Sequence, residues 1–294
     1  MKRKYPEMNN PSKPNHMRGL LQRISTAFIF IIVMLGGLYG GRYSFVVLFA
    51  IITAICLWEY LGMVLKHGKK RDSVRMFLGV AFGLTPFLLA SILHLGKIRS
   101  EQQFVIFSSI SFFPFIFMAF IYELFTKSEN PFRNVAFIVL GMFYIGTPFV
   151  LLDFIAFAGE KFNTNIIFGL FLMNWSNDTG AYLIGSKFGK RLLFQRISPK
   201  KTWEGFVGGI LVTFLITLLL NAFFDELPVW DWFALMSIVV VFGSFGDLVE
   251  SMLKRSVGVK DSGNLLPGHG GLLDRFDAFI FLLPFAAAYL LCIR

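Results

Sequence analysis

Nine apolar runs, each near the length that crosses a bilayer, follow one another through this 294-residue chain. Spanning about 30 Å of hydrocarbon takes roughly 20 mainly apolar residues in a helix. The approximate cores fall at 27–38 (extending upstream to 20), 45–65, 76–95, 104–125, 135–158, 166–185, 205–224, 232–253 and 272–293. Composition agrees, because a chain with 55% hydrophobic and 16% charged residues lies outside the range of soluble domains. The expected fold is therefore all-α, a polytopic integral membrane protein of about nine transmembrane helices. Residues 1–18 read as a flexible basic tail. Residues 19–160, with spans one to five, read as a membrane scaffold, and residues 161–294 hold spans six to nine with their polar loops. No cleavable signal is expected, since the first run follows a long basic, Pro-containing tail without a small-residue cleavage site. Cys56 and Cys292 both fall inside apolar runs, which leaves no disulfide or zinc framework to propose.

Charge in the connecting segments tests that reading, because Lys and Arg concentrate in short cytoplasmic loops. With a cytoplasmic N-terminus, the inside segments 1–23, 66–75, 126–134, 186–204 and 254–271 hold 22 of the 28 basic residues. The outside segments and Arg294 hold 5, and Arg275 lies within the last span. The net charge of +10 is accounted for by a positive cytoplasmic face against anionic lipid, and no nucleic-acid partner is expected.

Polar residues inside spans are then the informative ones, since an Asp near a helix centre costs about 2.5–3.5 kcal/mol on insertion scales. Glu59 and Glu123 lie near cytoplasmic ends and Asp153 near an outer end, where water or headgroups are expected to reach them. Span six carries "NWSNDTGAY", with Asn174, Asn177 and Asp178 on one face. Span eight ends "GSFGDLVESMLKR", where Asp247, Glu250, Ser251 and Lys254 recur on one face. Span nine opens "HGGLLDRFDA", placing Asp274 and Asp277 one turn apart.

Two polar loops adjoin these spans. "SPKKTWEGFVGG" puts Lys200 and Lys201 just before a helix N-terminus, a natural anion site. "KRSVGVKDSGNLLPGHGGLLDRFDA", residues 254–278, supplies Lys254, Arg255, Lys260 and Arg275, with Gly263, Gly268, Gly270 and Gly271 permitting close backbone approach. Alternatives stand beside this reading. Asp274 and Asp277 also fit as anions at a helix N-terminus with Arg275 as a snorkelling anchor, and Asp247 with Lys254 as a pair at a helix end. Buried acids also suit a cation-coupled transporter. A transporter, however, has no need of basic, glycine-rich loops, whereas acids for a hard metal beside bases for phosphate are what phosphoryl or nucleotidyl transfer requires. "GSKFGKR" lacks the spacing of a phosphate-binding P-loop. The glycine pairs Gly36/Gly40, Gly37/Gly41 and Gly205/Gly209 read as close helix packing.

The run Ser251-x-Leu253-Lys254-Arg255, Lys260-Asp261-x-Gly263, Leu266-Pro267-x-His269-Gly270-Gly271-Leu272-x-Asp274-Arg275-Phe276-Asp277 resembles, without a gap, the signature of the phosphatidate cytidylyltransferases, or CDP-diacylglycerol synthases. "SPKKTWEG" and "NDTGAY" are similar to that family as well, so the resemblance is specific over about residues 170–280 and general before that. It implies an integral membrane enzyme that condenses CTP with phosphatidic acid to CDP-diacylglycerol and pyrophosphate, using Mg²⁺ and in some members K⁺, as a homodimer in a bacterial inner membrane with its active site cytoplasmic. The remaining alternatives are a CTP-dependent transferase for another lipid, a related lipid kinase, the transporter and, last, a scaffold without chemistry.

On this reading Asp247 and Asp274 are the first candidates for metal ligands, followed by Asp178 and Asp277. Lys200, Lys201, Lys254 and Arg255 are expected at phosphates, with Asn177, Lys260, Asp261, Arg275, Gly270 and Gly271 lining the substrates. His269 fits three roles: a donor to pyrophosphate, a base, or a loop cap. A phosphatidate oxygen is already anionic, so no strong base is required.

Overall fold

A computed structural model describes residues 16–65, 72–96, 101–159, 162–268 and 270–293. The flexible tail expected over residues 1–18 falls almost wholly outside them, as does His269.

Each expected apolar core coincides with a helix. The chain forms α1 (His16–Tyr39), α2 (Arg42–Val64), α3 (Ser73–His94), α4 (Glu101–Thr126), α5 (Pro131–Gly141), α6 (Thr147–Ala156), α7 (Thr164–Phe188), α8 (Trp203–Phe223), α9 (Val229–Ile238), α10 (Ser244–Ser256) and α11 (Leu273–Ala288). Five-residue π-helical turns, Met142–Gly146 and Val239–Gly243, fuse α5 with α6 and α9 with α10 into the long rods Pro131–Ala156 and Val229–Ser256. Among the described residues seven helices are long and apolar enough to cross a membrane, and the chain is an all-α polytopic membrane protein. Two expected spans fall outside those seven. The apolar part of α1, Ile24–Tyr39, is shorter, and α7 has the length at 25 residues but carries Asn174, Asn177 and Asp178 in its middle. The outward face of α4 is almost entirely apolar, with Phe107, Ile110, Phe113 and Phe117 all more than half exposed, as a lipid-facing helix requires.

Aromatic packing joins the two halves of the chain. Phe171 on α7 stacks on Phe279 of α11 at a ring separation of 3.8 Å, and Phe276 packs against both Phe171 and Phe149 of α6. Phe49 of α2 closes the group against Phe149 and Phe171. All five rings are buried, so one continuous core runs through scaffold and C-terminal region.

Close helix approach explains part of the glycine pattern. A Cβ at Gly205 would press on the Ala181 carbonyl, and one at Gly209 would overlap the Asn177 side chain, so both glycines let α8 lie directly on α7. Of the N-terminal pairs, Gly37 and Gly40 meet α2, at Leu48 and Ser44. Gly36 and Gly41 face open space, and Gly41, at φ +107°, is the hinge between α1 and α2. Packing is therefore the wrong reading for those two.

Three acids expected to meet water or headgroups are instead buried and paired. Glu123 (4% exposed) is joined by Arg75 Nε and accepts Asn134 Nδ2 at 3.1 and 3.2 Å. Asp153 (0% exposed) accepts Ser91 Oγ at 3.1 Å and lies 2.6 Å from His94 Nδ1. Glu59 (7% exposed) reaches the far end of the sequence. In lipid a charge near a helix end has the choice of snorkelling or pairing, and each of these helices offers a partner.

Candidate active site

Two polar constructions meet at one end of the molecule. The first is a cavity of about 580 Å³ walled by α7, α8, the start of α10 and a short hairpin. The hairpin joins α7 to α8 through strands β1 (Leu192–Phe194) and β2 (Ser198–Thr202), paired antiparallel with Leu192 opposite Thr202 and Phe194 opposite Ser198. Its second strand runs straight into α8, because Thr202 leaves extended backbone and caps the helix by accepting the Gly205 N–H at 3.1 Å. This carries Lys200 and Lys201 to the cavity wall, where Asn177 and Asp178 of α7 and Asp247 of α10 also stand. The Lys201 ammonium pairs with Asp247 Oδ2. Asn177 is 4% exposed and its Oδ1 has no hydrogen-bond partner, so a cavity-lining amide is left with an unused acceptor.

The second construction is the segment between α10 and α11. It leaves α10 on two basic residues, Lys254 and Arg255, which favour a helix C-terminus. Arg255 is exposed and donates to the Val259 carbonyl at 3.2 Å. The chain then doubles back, with the Leu266 N–H bonded to the Gly270 carbonyl at 3.0 Å and positive φ at Gly268 and Gly270. At the head of α11, Asp274 accepts the Gly271 N–H at 2.8 Å, the Ser262 N–H at 3.0 Å and Lys254 Nζ at 2.7 Å. Lys254 also pairs with Glu250 one turn back on α10, a carboxylate with 0% exposure.

The two constructions adjoin electrostatically. Asp178, Asp247 and Asp277 lie near enough to act on one another's charge, as do Asp277 and Glu250, and Glu250 and Asp274. Arg275 acts on Asp178 across the same space. Of the residues expected from sequence, Lys200, Lys201, Asn177, Asp178 and Asp247 share the cavity, while Lys254, Asp274, Gly270 and Gly271 organise the adjoining segment. Asp261 stands across from Gly270 and is exposed, as are Lys260 and Arg275. Asn174 does not line the cavity; it is buried against Gly243.

Sequence reasoning missed Glu59 as part of this assembly. Its carboxylate accepts Ser262 Oγ at 3.0 Å and the N–H groups of Leu272 and Leu273 at 3.0 and 2.8 Å. An acid in an apolar run was the available signal, and its partners lie more than 200 positions away.

Among the described residues no group of three or more His, Cys, Asp or Glu side chains is drawn together tightly enough to hold a metal. The donors nonetheless suit magnesium, a hard cation that takes one or two carboxylates and completes its shell with water and substrate phosphates. Asp247 and Asp274, like Glu250, are places where the fold already sets a cation, a lysine ammonium, against a carboxylate.

Comparison with known proteins agrees with the geometry. The model of the Cytidylyltransferase family matches residues 21–293. The phosphatidate cytidylyltransferase of Bacillus subtilis (strain 168) is 37% identical over 274 residues, covering 92% of this chain and 97% of that protein. Those of Staphylococcus aureus (strain COL) and Staphylococcus saprophyticus are 37% and 34% identical, each covering 89% of this chain and 95% of the relative. A match over nearly the whole length, signature segment included, means that this chain belongs to the cytidylyltransferase family.

Proposed function

We propose that this membrane enzyme transfers the cytidylyl group of CTP to phosphatidic acid, releasing pyrophosphate and forming CDP-diacylglycerol. The observation that carries the reading is the Lys201–Asp247 pair on the wall of a cavity at the ends of spanning helices.

The phosphatidate oxygen attacks the α-phosphorus of CTP in line with the departing pyrophosphate. Lys200 and Lys201 neutralise phosphate oxygens from the hairpin side, and Lys254 and Arg255 from the segment side. As phosphates arrive, the Lys201 ammonium exchanges Asp247 for a phosphate oxygen, which frees that carboxylate. Magnesium would be held by Asp247 and Asp274, with Asp178 and Asp277 adding negative charge around it, and when bound it supplies charge neutralisation on the triphosphate. The attacking oxygen brings its own charge, so the chain needs to supply no strong base, and transfer is direct within a ternary complex.

Two sets of contacts and the charge rule support an orientation. Thr26 near the start of α1, Glu59 at the end of α2 and the segment before α11 make contact at one end. At the other, Tyr39 reaches Asn165, which pairs with Glu226. The end bearing the basic hairpin is cytoplasmic by the charge rule, in a nine-span arrangement within a bacterial inner membrane. Association as a homodimer is part of the same proposal.

Pyrophosphate exchange tests the reaction and its directness. With enzyme, magnesium, CTP and labelled pyrophosphate, label should enter CTP only when phosphatidate or CDP-diacylglycerol is present. Exchange without lipid would replace direct transfer by a nucleotidyl-enzyme, and no exchange under any condition would remove the function.

A further inference from the structure

The N-terminus of α11 has no cap from its own segment: Leu272, at the N-cap, offers no side-chain acceptor. Its first amides would be orphaned in a buried setting, at a cost comparable to a lost hydrogen bond each. Glu59 supplies that cap from α2, across more than 200 residues of sequence, by accepting the N–H groups of Leu272 and Leu273. A carboxylate at that point also meets the positive end of the α11 dipole.

The same carboxylate accepts the Ser262 hydroxyl, while the Ser262 N–H is bonded to Asp274. Ser262, 3% exposed, is thus clamped between two acids, Glu59 on its side chain and Asp274 on its backbone. The surrounding glycines fit this clamp. A Cβ at Gly263 would overlap Glu59 Oε1, and one at Gly271 would overlap both Ser262 Oγ and Glu59 Oε2. These two glycines, which from sequence alone suit a close approach of backbone to phosphate, are required by the approach of Glu59.

We infer that Glu59 is a positioning residue for the transfer reaction: it fixes Ser262, Leu272 and Leu273 so that Asp274 and Lys254 stand in register with Asp247 and the cavity. This rests on the proposed cytidylyl transfer. Glu59 touches no reacting atom; it acts through Ser262 and the α11 amides. Gln keeps the size but turns an N–H₂ toward one of the two backbone N–H groups, and so undoes half of the cap.

The test compares wild type, Glu59→Gln and Ser262→Ala in detergent, with three readouts: kcat and KM for CTP per folded molecule, thermal unfolding, and amide hydrogen exchange. Misplacing catalytic groups by about 1 Å costs on the order of 100-fold, so Glu59→Gln should lower kcat by about that factor while KM for CTP changes by less than about threefold. Exchange should quicken by about tenfold or more in residues 259–275 and stay unchanged in α3 to α5. Ser262→Ala should move the same readouts in the same direction by a smaller factor, and it decides the matter if Glu59→Gln does not fold. A purely structural role would lower the unfolding temperature while leaving kcat per folded molecule and exchange in the segment at wild-type values, and that result overturns the inference. Failure of wild type to label lipid would instead remove the function on which it rests, so the two failures are distinct.

Discussion

Lys254 lies 2.7 Å from Asp274 Oδ1 and pairs at the same time with the buried Glu250, so one ammonium ties the end of α10 to the head of α11. Both helices belong to long apolar rods, and this is where the charge of the signature segment is balanced.

Removing that ammonium leaves a fully buried carboxylate uncompensated. Breaking a buried pair by deleting one partner costs about 3–5 kcal/mol, so Lys254→Met should lower detergent stability by that order and abolish measurable turnover. Thermal unfolding followed alongside lipid labelling checks it. Glu250→Gln combined with Lys254→Met should recover part of the stability and none of the activity, because the charge proposed to meet phosphate is still missing.

Asp247 and Lys201 separate along different kinetic lines. Asp247→Asn should cost several orders of magnitude in rate with insertion and stability nearly intact, since the charge rather than the shape of the carboxylate holds a metal. Lys201→Ala should raise KM for CTP more than that for phosphatidate. Steady-state kinetics in mixed micelles distinguish the two patterns, and near-normal turnover of Asp247→Asn would overturn its assignment.

The Arg75–Glu123–Asn134 cluster clamps α3, α4 and α5 together and includes none of the proposed site residues. Glu123→Ala should destabilise by about 3–5 kcal/mol, as loss of a buried partner does, while the kcat of the molecules that remain folded stays at the wild-type value. Unfolding curves and activity per folded molecule give both numbers.

Topology is checked by introducing one cysteine at a time into a Cys292→Ser background, in which the remaining Cys56 is buried. Ser128→Cys and Gln195→Cys should react with an impermeant reagent from the cytoplasmic side, and Asp225→Cys from the other. Labelling of Ser128→Cys and Gln195→Cys from opposite sides would dismantle the nine-span arrangement.

How much of this was legible in the sequence differs by element. Apolar length alone located every helix, because a bilayer leaves the backbone no other way to satisfy its hydrogen bonds. The π-turns at Met142–Gly146 and Val239–Gly243 left no trace in hydropathy, which is unchanged by one extra residue per turn. Of the proposed site, Asp247 and Asp274 were legible because a charge in an apolar run is expensive, and Lys201 and Lys254 because they stand in basic, glycine-rich segments beside helix ends. Glu59 carried the same expense and was set aside as solvated, since nothing local to it names a partner: its contacts at Ser262, Leu272 and Leu273 exist only after α2 and α11 have packed. Gly263 and Gly271 illustrate the same limit, as their lack of a side chain answers a carboxylate from the other half of the chain.

The central claim is that the α-phosphorus of CTP passes to the lipid, and its most direct test is the fate of two labels. Purified protein in detergent is incubated with magnesium and phosphatidate, once with CTP labelled at the α-phosphate and once at the γ-phosphate, and the organic phase is counted. Cytidylyl transfer predicts that the α label becomes lipid-soluble, in amounts equal to the pyrophosphate released, and that the γ label stays in water. Lipid-soluble γ label would mark a kinase, and absence of either label from the lipid would contradict the function proposed here.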